Sequence, residues 1–485
     1  MSKNPTADNN DPGSYDPGSN DPGSYDLGSN DPELGDEALF QKEADRVYQE
    51  LLARIGEGHP QPRLAATRRV VELLGDPQRS YPIIHVTGTN GKTSTSRITE
   101  SILRAYGLRT GLFSSPHLVR VNERILIDGE PITNEAFVAN YRDIKPYLDM
   151  VDAELRAAGD APLAFFEAFT ALAYASFADA PVDVAVIEVG LGGEWDATNV
   201  GDGVVAVFTP ISLDHTARLG NTVALIAATK AGIIKPTAAV VTATQPLTAL
   251  AELERASDLM EASLAAQGTA FELLSNTVAV GGQVISVRGL AGTYNDLFLP
   301  IFGDHQAQNA TLAIAAVESF LGGGKQMLVG DVLTEGITTA TSPGRLQVIG
   351  IEPTVIIDAA HNPDGARSLA AALGSYFTFD EVAIVLGVLE DKDARGIVRA
   401  LAPVAEVVLV TASSSERAIA VNDLAEIVRE VAPGTSVDDY DTPSEAIAAA
   451  RAWAAKLPRR GVVITGSITL IGDALVLAAA EGWKR

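Results

Sequence analysis

The chain has 485 residues, 46% hydrophobic and 20% charged, the composition of a globular protein long enough for two packed units. Its 36 Lys and Arg stand against 62 Asp and Glu, a net charge of −26, which would repel a phosphate backbone and argues against nucleic acid as a partner. No run of about 18 uncharged apolar residues is present to span a bilayer, and the absence of cysteine removes disulfides, thiolate nucleophiles and sulfur-ligated metals together.

The N-terminus "MSKNPTADNNDPG" lacks the basic start and apolar core of a secretion signal, so a cytoplasmic address without membrane attachment is expected. Residues 1–38 carry a five-residue repeat, "DPGSY", "DPGSN", "DPGSY", "DLGSN", "DPELG". It supplies turns and negative charge but almost nothing apolar to bury, and is expected to be a disordered acidic tail, with an interaction arm as its functional alternative. Two helices follow, "EALFQKEADRVYQELLAR" and "RLAATRRVVELLGDP", apolar at helical spacing and the second closed by Gly-Asp-Pro. From there short β-branched runs alternate with alanine-rich stretches: "YPIIHVTG", "DVAVIEVG", "VVAVFTPIS" and "AAVVTAT". Uninterrupted apolar strands separated by helices imply parallel sheets covered on both faces, an α/β fold. The pattern lapses at Ser342-Pro343-Gly344, and four further strand-like runs follow, "PTVIIDAAHN", "EVAIVLGV", "EVVLVTAS" and "GVVITGS". This divides the chain into residues 39–341 and 342–485.

Behind the first strand lies "HVTGTNGKTSTS". A strand that ends in glycine and opens into a helix presents backbone N–H groups and the positive end of the helix dipole, a cradle for phosphate. Lys92 would reach the β and γ phosphates, and the Thr93 hydroxyl would ligate Mg²⁺. The usual phosphate-loop spacing would put the first glycine at Val86, whereas here it is Gly88.

The spacing of "TGTNGKTST" resembles the Mur ligase superfamily, ATP-dependent enzymes that join amino acids to carboxylates. In order along the chain, "FSSPHLVRVNERI", "EVGLGGEWDATN", "LDHTARLGNT", "KAGIIKP", "GDHQAQNA", "SPGRLQ", "DAAHNPDGA" and "TGSITLIG" resemble the signatures of one branch, folylpolyglutamate synthase, often combined with dihydrofolate synthase. The resemblance runs from about residue 40 to the C-terminus. It implies a P-loop ATPase domain with a mostly parallel sheet, which binds ATP and folate, and a smaller Rossmann-like α/β C-terminal domain, which binds glutamate. The implied partners are folate or dihydropteroate, L-glutamate and ATP, with a monomeric chain.

The resemblance also implies a site, residue by residue. Thr89, Asn90, Gly91, Lys92, Thr93 and Ser94 form the phosphate loop, and Asn309, Arg345 and Asp358 contact adenosine or phosphate. Glu188 ends an apolar strand, where an unpaired carboxylate would cost several kcal/mol; a Mg²⁺ ion would remove that cost, with a salt-bridged core glutamate as the plainer alternative. His215 and Ser115, taken singly a structural histidine and a turn residue, are by their family positions metal ligands with Thr93 and Glu188, for two Mg²⁺ ions. Oxygen donors and the lack of cysteine suit a hard cation rather than zinc. Against the pterin the resemblance places Arg120, Asn122 and Arg124, then Ala164, Phe165, Phe166 and Glu167, then Trp195, Asp196 and Ala197; one of the two phenylalanines is expected in the helix core, and Trp195 stands where the family more often has an aliphatic residue. Arg345, His361 and Ser467 would capture glutamate. Lys230 by itself reads as a solvated helix lysine, but it matches a lysine that the family carbamylates, so a carbamate on Lys230 is implied, with Lys92, Lys230 and His215 as the catalytic residues.

The expected chemistry is transfer of the ATP γ-phosphoryl group to a folate carboxylate, then attack of the glutamate amine on the acyl phosphate. Two alternatives remain at this stage: a Mur-type ligase acting on a cell-wall precursor, and a nucleotide-dependent switch or scaffold.

Overall fold

The computed structural model describes residues 32–56 and 61–484, so the repeat of residues 1–31 lies outside the described residues. The first helix, α1 (Pro32–Leu52), starts within the stretch 1–38 assigned to a disordered tail. A proline at the first helical position loses only an N–H that the helix would leave unpaired anyway, so the repeat's last Asp-Pro does not prevent the start. After α2 (Ala65–Leu73) come β1 (Ile83–Thr87), α3 (Lys92–Ala105), β2 (Thr110–Phe113), β3 (Ile125–Ile127), β4 (Glu130–Pro131), α4 (Asn134–Ala158), α5 (Phe165–Asp179), β5 (Val184–Glu188) and β6 (Gly203–Phe208). The short α6 (Thr216–Leu219), then α7 (Val223–Ala231), β7 (Ala239–Thr242), α8 (Leu247–Leu259) and β8 (Ser263–Ala266) complete an eight-stranded sheet of order β4-β3-β2-β5-β1-β6-β7-β8. Its six strands from β2 to β8 pair in parallel, and β3 and β4 are antiparallel additions at one edge.

All five residues of β1 are buried. Ile84 and Val86 pack on one side, with Ile98 and Ile102 of α3, while Ile83 packs on the other, with Phe169 and Tyr174 of α5. Both faces are apolar because both are covered, which is why the strand reads as an unbroken hydrophobic run. The chain leaves β1 for β2 on one side, and returns through β5 to β6 on the other. The carboxyl ends of β1, β5 and β6 therefore gather where the winding reverses, the place at which open α/β sheets bind ligands.

A three-stranded antiparallel sheet, β9 (Glu272–Ala279), β10 (Gly282–Arg288) and β11 (Thr293–Leu299), was not expected from sequence. Its strands are half solvated, so they carry no continuous apolar run. Then α9 (Asp304–Gly322) and α10 (Gly330–Thr338) pack on α3.

The C-terminal unit comprises β12 (Gln347–Ile351), β13 (Thr354–Ile357), α11 (Pro363–Tyr376), β14 (Glu381–Leu386), α12 (Ala394–Leu401), β15 (Val407–Val410), α13 (Val421–Val431), β16 (Ser436–Asp439), α14 (Pro443–Ala454), β17 (Arg460–Thr465) and α15 (Ile468–Ala480). Its sheet has the order β12-β13-β17-β14-β15-β16, parallel except for β12. The four strands read from sequence are its interior; the two missed ones are its edges, where a polar strand such as "SVDD" is tolerated and useful. Among the described residues no helix is long and apolar enough to cross a membrane.

Ile384, in the middle of β14 and fully buried, should lose about 2–5 kcal/mol on replacement by Ala, through lost burial and the cavity left behind. Ile351→Ala, at a residue 48% exposed, should cost under about 1 kcal/mol. Urea denaturation followed by circular dichroism checks both.

Candidate active site

The phosphate loop is shaped by two close approaches. Gly88 has φ 149°, and a Cβ there would fall on the Thr209 hydroxyl at the end of β6. Gly91 has φ 90°, and a Cβ there would run into the Asn309 side chain on α9. The loop is tied to the segment after β6 by Thr89 N to Pro210 O at 2.9 Å, and by Thr89 Oγ1 to Ser212 O at 3.1 Å. Helix α3 begins without a side-chain cap, so its first N–H groups are left for a ligand. Lys92 folds back on its own loop, Nζ donating to Thr89 O at 3.2 Å. Burial pulls its pKa down, against the carboxylates of Glu188 and Asp214.

At the end of β5, Glu188 is 1% exposed. It accepts the Thr93 hydroxyl at 2.9 and 3.1 Å and the Ser115 N–H at 3.4 Å. It makes no ion pair within 4 Å among the described residues, so the salt-bridged alternative fails; burial pushes its pKa up, with the charge of Lys92 opposing. Three strand ends thus bring Thr93, Ser115 and Glu188 together. His215 opens α6 at φ 48°, and its Nε2 faces Lys392 Nζ at 3.4 Å and Asp214 at 3.9 Å. Among the described residues no three His, Asp or Glu side chains are grouped to hold a metal ion.

Lys230 is not the solvated lysine its helical setting suggests. It is 4% exposed, and its Nζ donates to Gly88 O at 2.7 Å beneath the phosphate loop. Burial, and then the charge of Lys92, lower its pKa to about 7. A small cavity of about 40 Å³ borders it, with Gly88, Lys92, His215 and His361 in its wall.

These groups open into a cleft of about 2180 Å³ between the two units. All six loop residues 89–94 line it, as do Asn309, Arg345, Asp358, His361 and Ser467. Asp358, at the end of β13, is buried and accepts from Leu346 N and Ala360 N, both at 2.9 Å. Ser467 caps α15 by accepting from Leu470 N at 3.2 Å, which turns that helix N-terminus toward the cleft as well.

At the far end, Arg124, Ala164, Phe166, Glu167, Trp195, Asp196 and Ala197 line the same cleft. Arg124 donates to His117 Nδ1 at 2.9 Å and lies over the Phe165 and Phe169 rings at 5.2 and 5.7 Å. Glu167 is held by both arms of Arg63 at 2.9 Å and accepts from Ala164 N at 2.8 Å. Of the residues the resemblance places at the pterin, Arg120 and Asn122 lie off the cleft, and Phe165 is the one of the two phenylalanines that sits in the helix core. Arg120 is exposed and donates to Gln41 at 3.1 Å. Asn122 is spent on Ile132 O at 2.8 Å and Asn134 at 3.2 Å. Phe165 stacks on Phe169 in the core, centroids 5.5 Å apart. Alternation along the loop and helix turns these side chains away from their cleft-facing neighbours.

Sequence reasoning missed the residues that join the halves. Asp214 accepts from Lys392 Nζ at 3.1 Å and Asn362 Nδ2 at 3.2 Å, and Asn362 also donates to Asn90 of the phosphate loop at 2.9 Å. Although burial works the other way, His215, Lys392 and His361 hold the Asp214 carboxyl well below the usual range. Asp214 stood inside the quoted "LDHTARLG", but Lys392 lies in "EDKDARG", which reads as a solvated charge run.

A nucleotide loop facing a second α/β unit with polar strand ends defines a two-domain ligase of the Mur type. The Mur ligase middle domain family matches residues 166–317, and the Mur ligase, glutamate ligase domain family matches residues 344–468. A dihydrofolate synthase/folylpolyglutamate synthase of Mycobacterium tuberculosis is 45% identical over 437 residues, 86% of this chain and 90% of that protein. The structure of Mycobacterium tuberculosis folylpolyglutamate synthase complexed with ADP matches with a TM-score of 0.86 and 44% identity, over 90% of this chain and 99% of that one. Escherichia coli FolC in complex with DHPP and ADP matches with a TM-score of 0.76 and 30% identity, over 87% and 95%. The chain belongs to the dihydrofolate synthase/folylpolyglutamate synthase family of the Mur ligase superfamily, and is an ATP-dependent ligase. The cell-wall branch and the switch or scaffold are thereby set aside.

Gly88→Ala should weaken ADP binding at least tenfold, because the loop must shift to clear Thr209. Titration calorimetry, with the circular dichroism spectrum unchanged, would show this.

Proposed function

We propose that the protein adds L-glutamate to the terminal carboxylate of a folate, and to dihydropteroate, through an acyl phosphate. Residues 39–341 would hold ATP and the pterin substrate and residues 342–485 the amino acid, in a monomer. The observation that carries this reading is the single cleft into which the phosphate loop, an aromatic wall with Phe166 and Trp195, and the C-terminal residues Arg345, His361 and Ser467 all open.

The carboxylate oxygen attacks the γ phosphorus and ADP departs. The glutamate nitrogen then attacks the acyl carbon, and phosphate leaves as the amide forms. A carboxylate is a poor acyl donor, and phosphorylation supplies the leaving group. The chain contributes position and charge: the free N–H groups of α3 and Lys92 face the phosphates, and Asn309, Arg345 and Asp358 fix the nucleotide against the second domain. Thr93, Ser115, Glu188 and, on the family resemblance alone, His215 would hold Mg²⁺, as two ions; a buried carboxylate with no ion pair among the described residues, beside the Thr93 hydroxyl, has the chemistry a hard cation needs. When bound, the metal neutralises phosphate charge.

The buried Lys230 supports a carbamate at that position. With a pKa lowered to about 7, a good part of its amine is unprotonated at neutral pH and free to react with CO₂, and a neighbouring cation would favour the anionic product. Protein equilibrated with ¹³C-bicarbonate should show a carbamate carbon resonance that Lys230→Ala lacks. The same spectrum in both proteins would remove the modification.

Phosphate release from ATP should require both a folate and glutamate, and dihydropteroate should substitute for the folate; release without either substrate would contradict the ligase reading. Lys92→Ala should abolish ligation in a folded protein, since it removes the charge that meets the γ-phosphate. Ser467→Ala should raise the glutamate KM more than the ATP KM. Equal rises would take Ser467 out of the amino-acid site.

A further inference from the structure

His361 is placed unlike a carboxylate-gripping residue. Its Nδ1 lies 2.9 Å from Ala359 O. A carbonyl only accepts, so Nδ1 carries the hydrogen and Nε2 of the neutral ring is left with a bare lone pair. Nε2 borders the cleft, where Asp214 Oδ2 lies 3.9 Å away. The next residue, Asn362, reaches across to Asn90 of the phosphate loop at 2.9 Å, so the imidazole stands on the amino-acid side, one residue from the phosphates. A lone pair repels a carboxylate and attracts an N–H.

We infer that Nε2 of His361 receives the proton that the glutamate nitrogen sheds as it bonds to the acyl carbon, with Asp214 facing the imidazolium so formed. The assignment rests on the proposed ligase reading and changes the part His361 plays in it, from holding a carboxylate to moving a proton.

The atoms balance as follows. Glutamate loses one ammonium proton to solvent and attacks as the free amine. As the C–N bond forms, nitrogen becomes cationic and strongly acidic, and its proton passes to Nε2. The C–O bond to phosphorus-bound oxygen then breaks, the departing phosphate takes the electron pair, and the imidazolium returns the proton to it, leaving the amide, hydrogen phosphate and a neutral ring. Burial, and then the charge of Lys392, hold the His361 pKa near 4, with Asp214 pulling the other way and Arg345 adding to the depression. The ring is therefore neutral before each turnover. The incoming amino acid brings two carboxylates beside those cations, which offsets the depression while the proton is on the ring. Proton transfer of this kind is worth roughly 10²–10⁴-fold in rate.

The test compares two nucleophiles on the same acyl phosphate. Hydroxylamine is weakly basic, and its adduct sheds a proton to water without help. In His361→Gln, which keeps an acceptor but cannot carry a proton, the glutamate kcat should fall on the order of 100-fold, with the glutamate KM changed less than about threefold. The ratio of hydroxamate to glutamate product should rise by a similar factor to the fall in kcat. In His361→Ala, added imidazole should restore part of the glutamate rate. A glutamate KM that rises while kcat holds, or equal losses with both nucleophiles and no rescue, would overturn the assignment. Wild-type protein that makes neither amide nor hydroxamate from a reduced folate would instead sink the ligase reading itself.

Discussion

Asp214 is where the two halves of the molecule become one site. It follows β6 of the N-terminal sheet, yet it accepts from Lys392 and Asn362, both from loops of the C-terminal sheet. Lys392 is 7% exposed and Asp214 13%, so the pair is largely shielded from water, where removing one partner costs far more than a surface bridge would. Asn362 carries the connection to Asn90. The phosphate loop, the post-β6 loop with His215, and the strand end with His361 are thus held in one register. Each sheet alone presents only part of the cleft: one carries the phosphate loop, the other Arg345, His361 and Ser467.

Within that frame the buried charges are placed against their own solvation. Glu188 ends β5, Lys92 opens α3 behind β1 and Lys230 lies on α7, and burial shifts each toward its neutral form. A fold does not keep such groups for stability, since a buried charge without a partner costs several kcal/mol. They are held by elements whose faces are already committed to the core, β1 and β5 above all. The chain tolerates them because the substrates that would pair with them are themselves highly charged. Lys230 shows the point at one atom: among the described residues its ammonium has only the Gly88 carbonyl to bond, which leaves the group poised between protonation states.

Much of this was legible in the sequence, for a physical reason. Strands buried on both faces must be apolar throughout, so β1, β5, β6, β7, β13, β14, β15 and β17 declare themselves. Strands with a solvated face or at an edge need not be, and β9 to β11, β12 and β16 were missed. The phosphate loop was readable because its chemistry needs glycine, lysine and hydroxyls in sequence. The cleft wall proposed for the pterin was only partly readable: neighbouring residues in a loop or helix point to different sides, so Arg124 and Phe166 reach the cleft while Arg120 and Asn122 do not, and Phe165 fills the core place expected of one phenylalanine. Lys392 could not be read at all, because nothing local separates a solvated lysine from one that crosses a domain boundary. Lys230 taken alone reads as a solvated helix lysine for the same reason, and only the resemblance to the family set it apart.

The proposed reaction turns on a folate carboxylate activated by phosphorylation. The most direct measurement uses a folate labelled with ¹⁸O in its terminal carboxylate, turned over with ATP and glutamate, with the released phosphate examined by mass spectrometry. One ¹⁸O atom should appear in each phosphate, because the oxygen that attacked phosphorus leaves with it. Unlabelled phosphate, or label found in AMP, would contradict an acyl phosphate and with it the roles given to Lys92, His361 and the cleft they share.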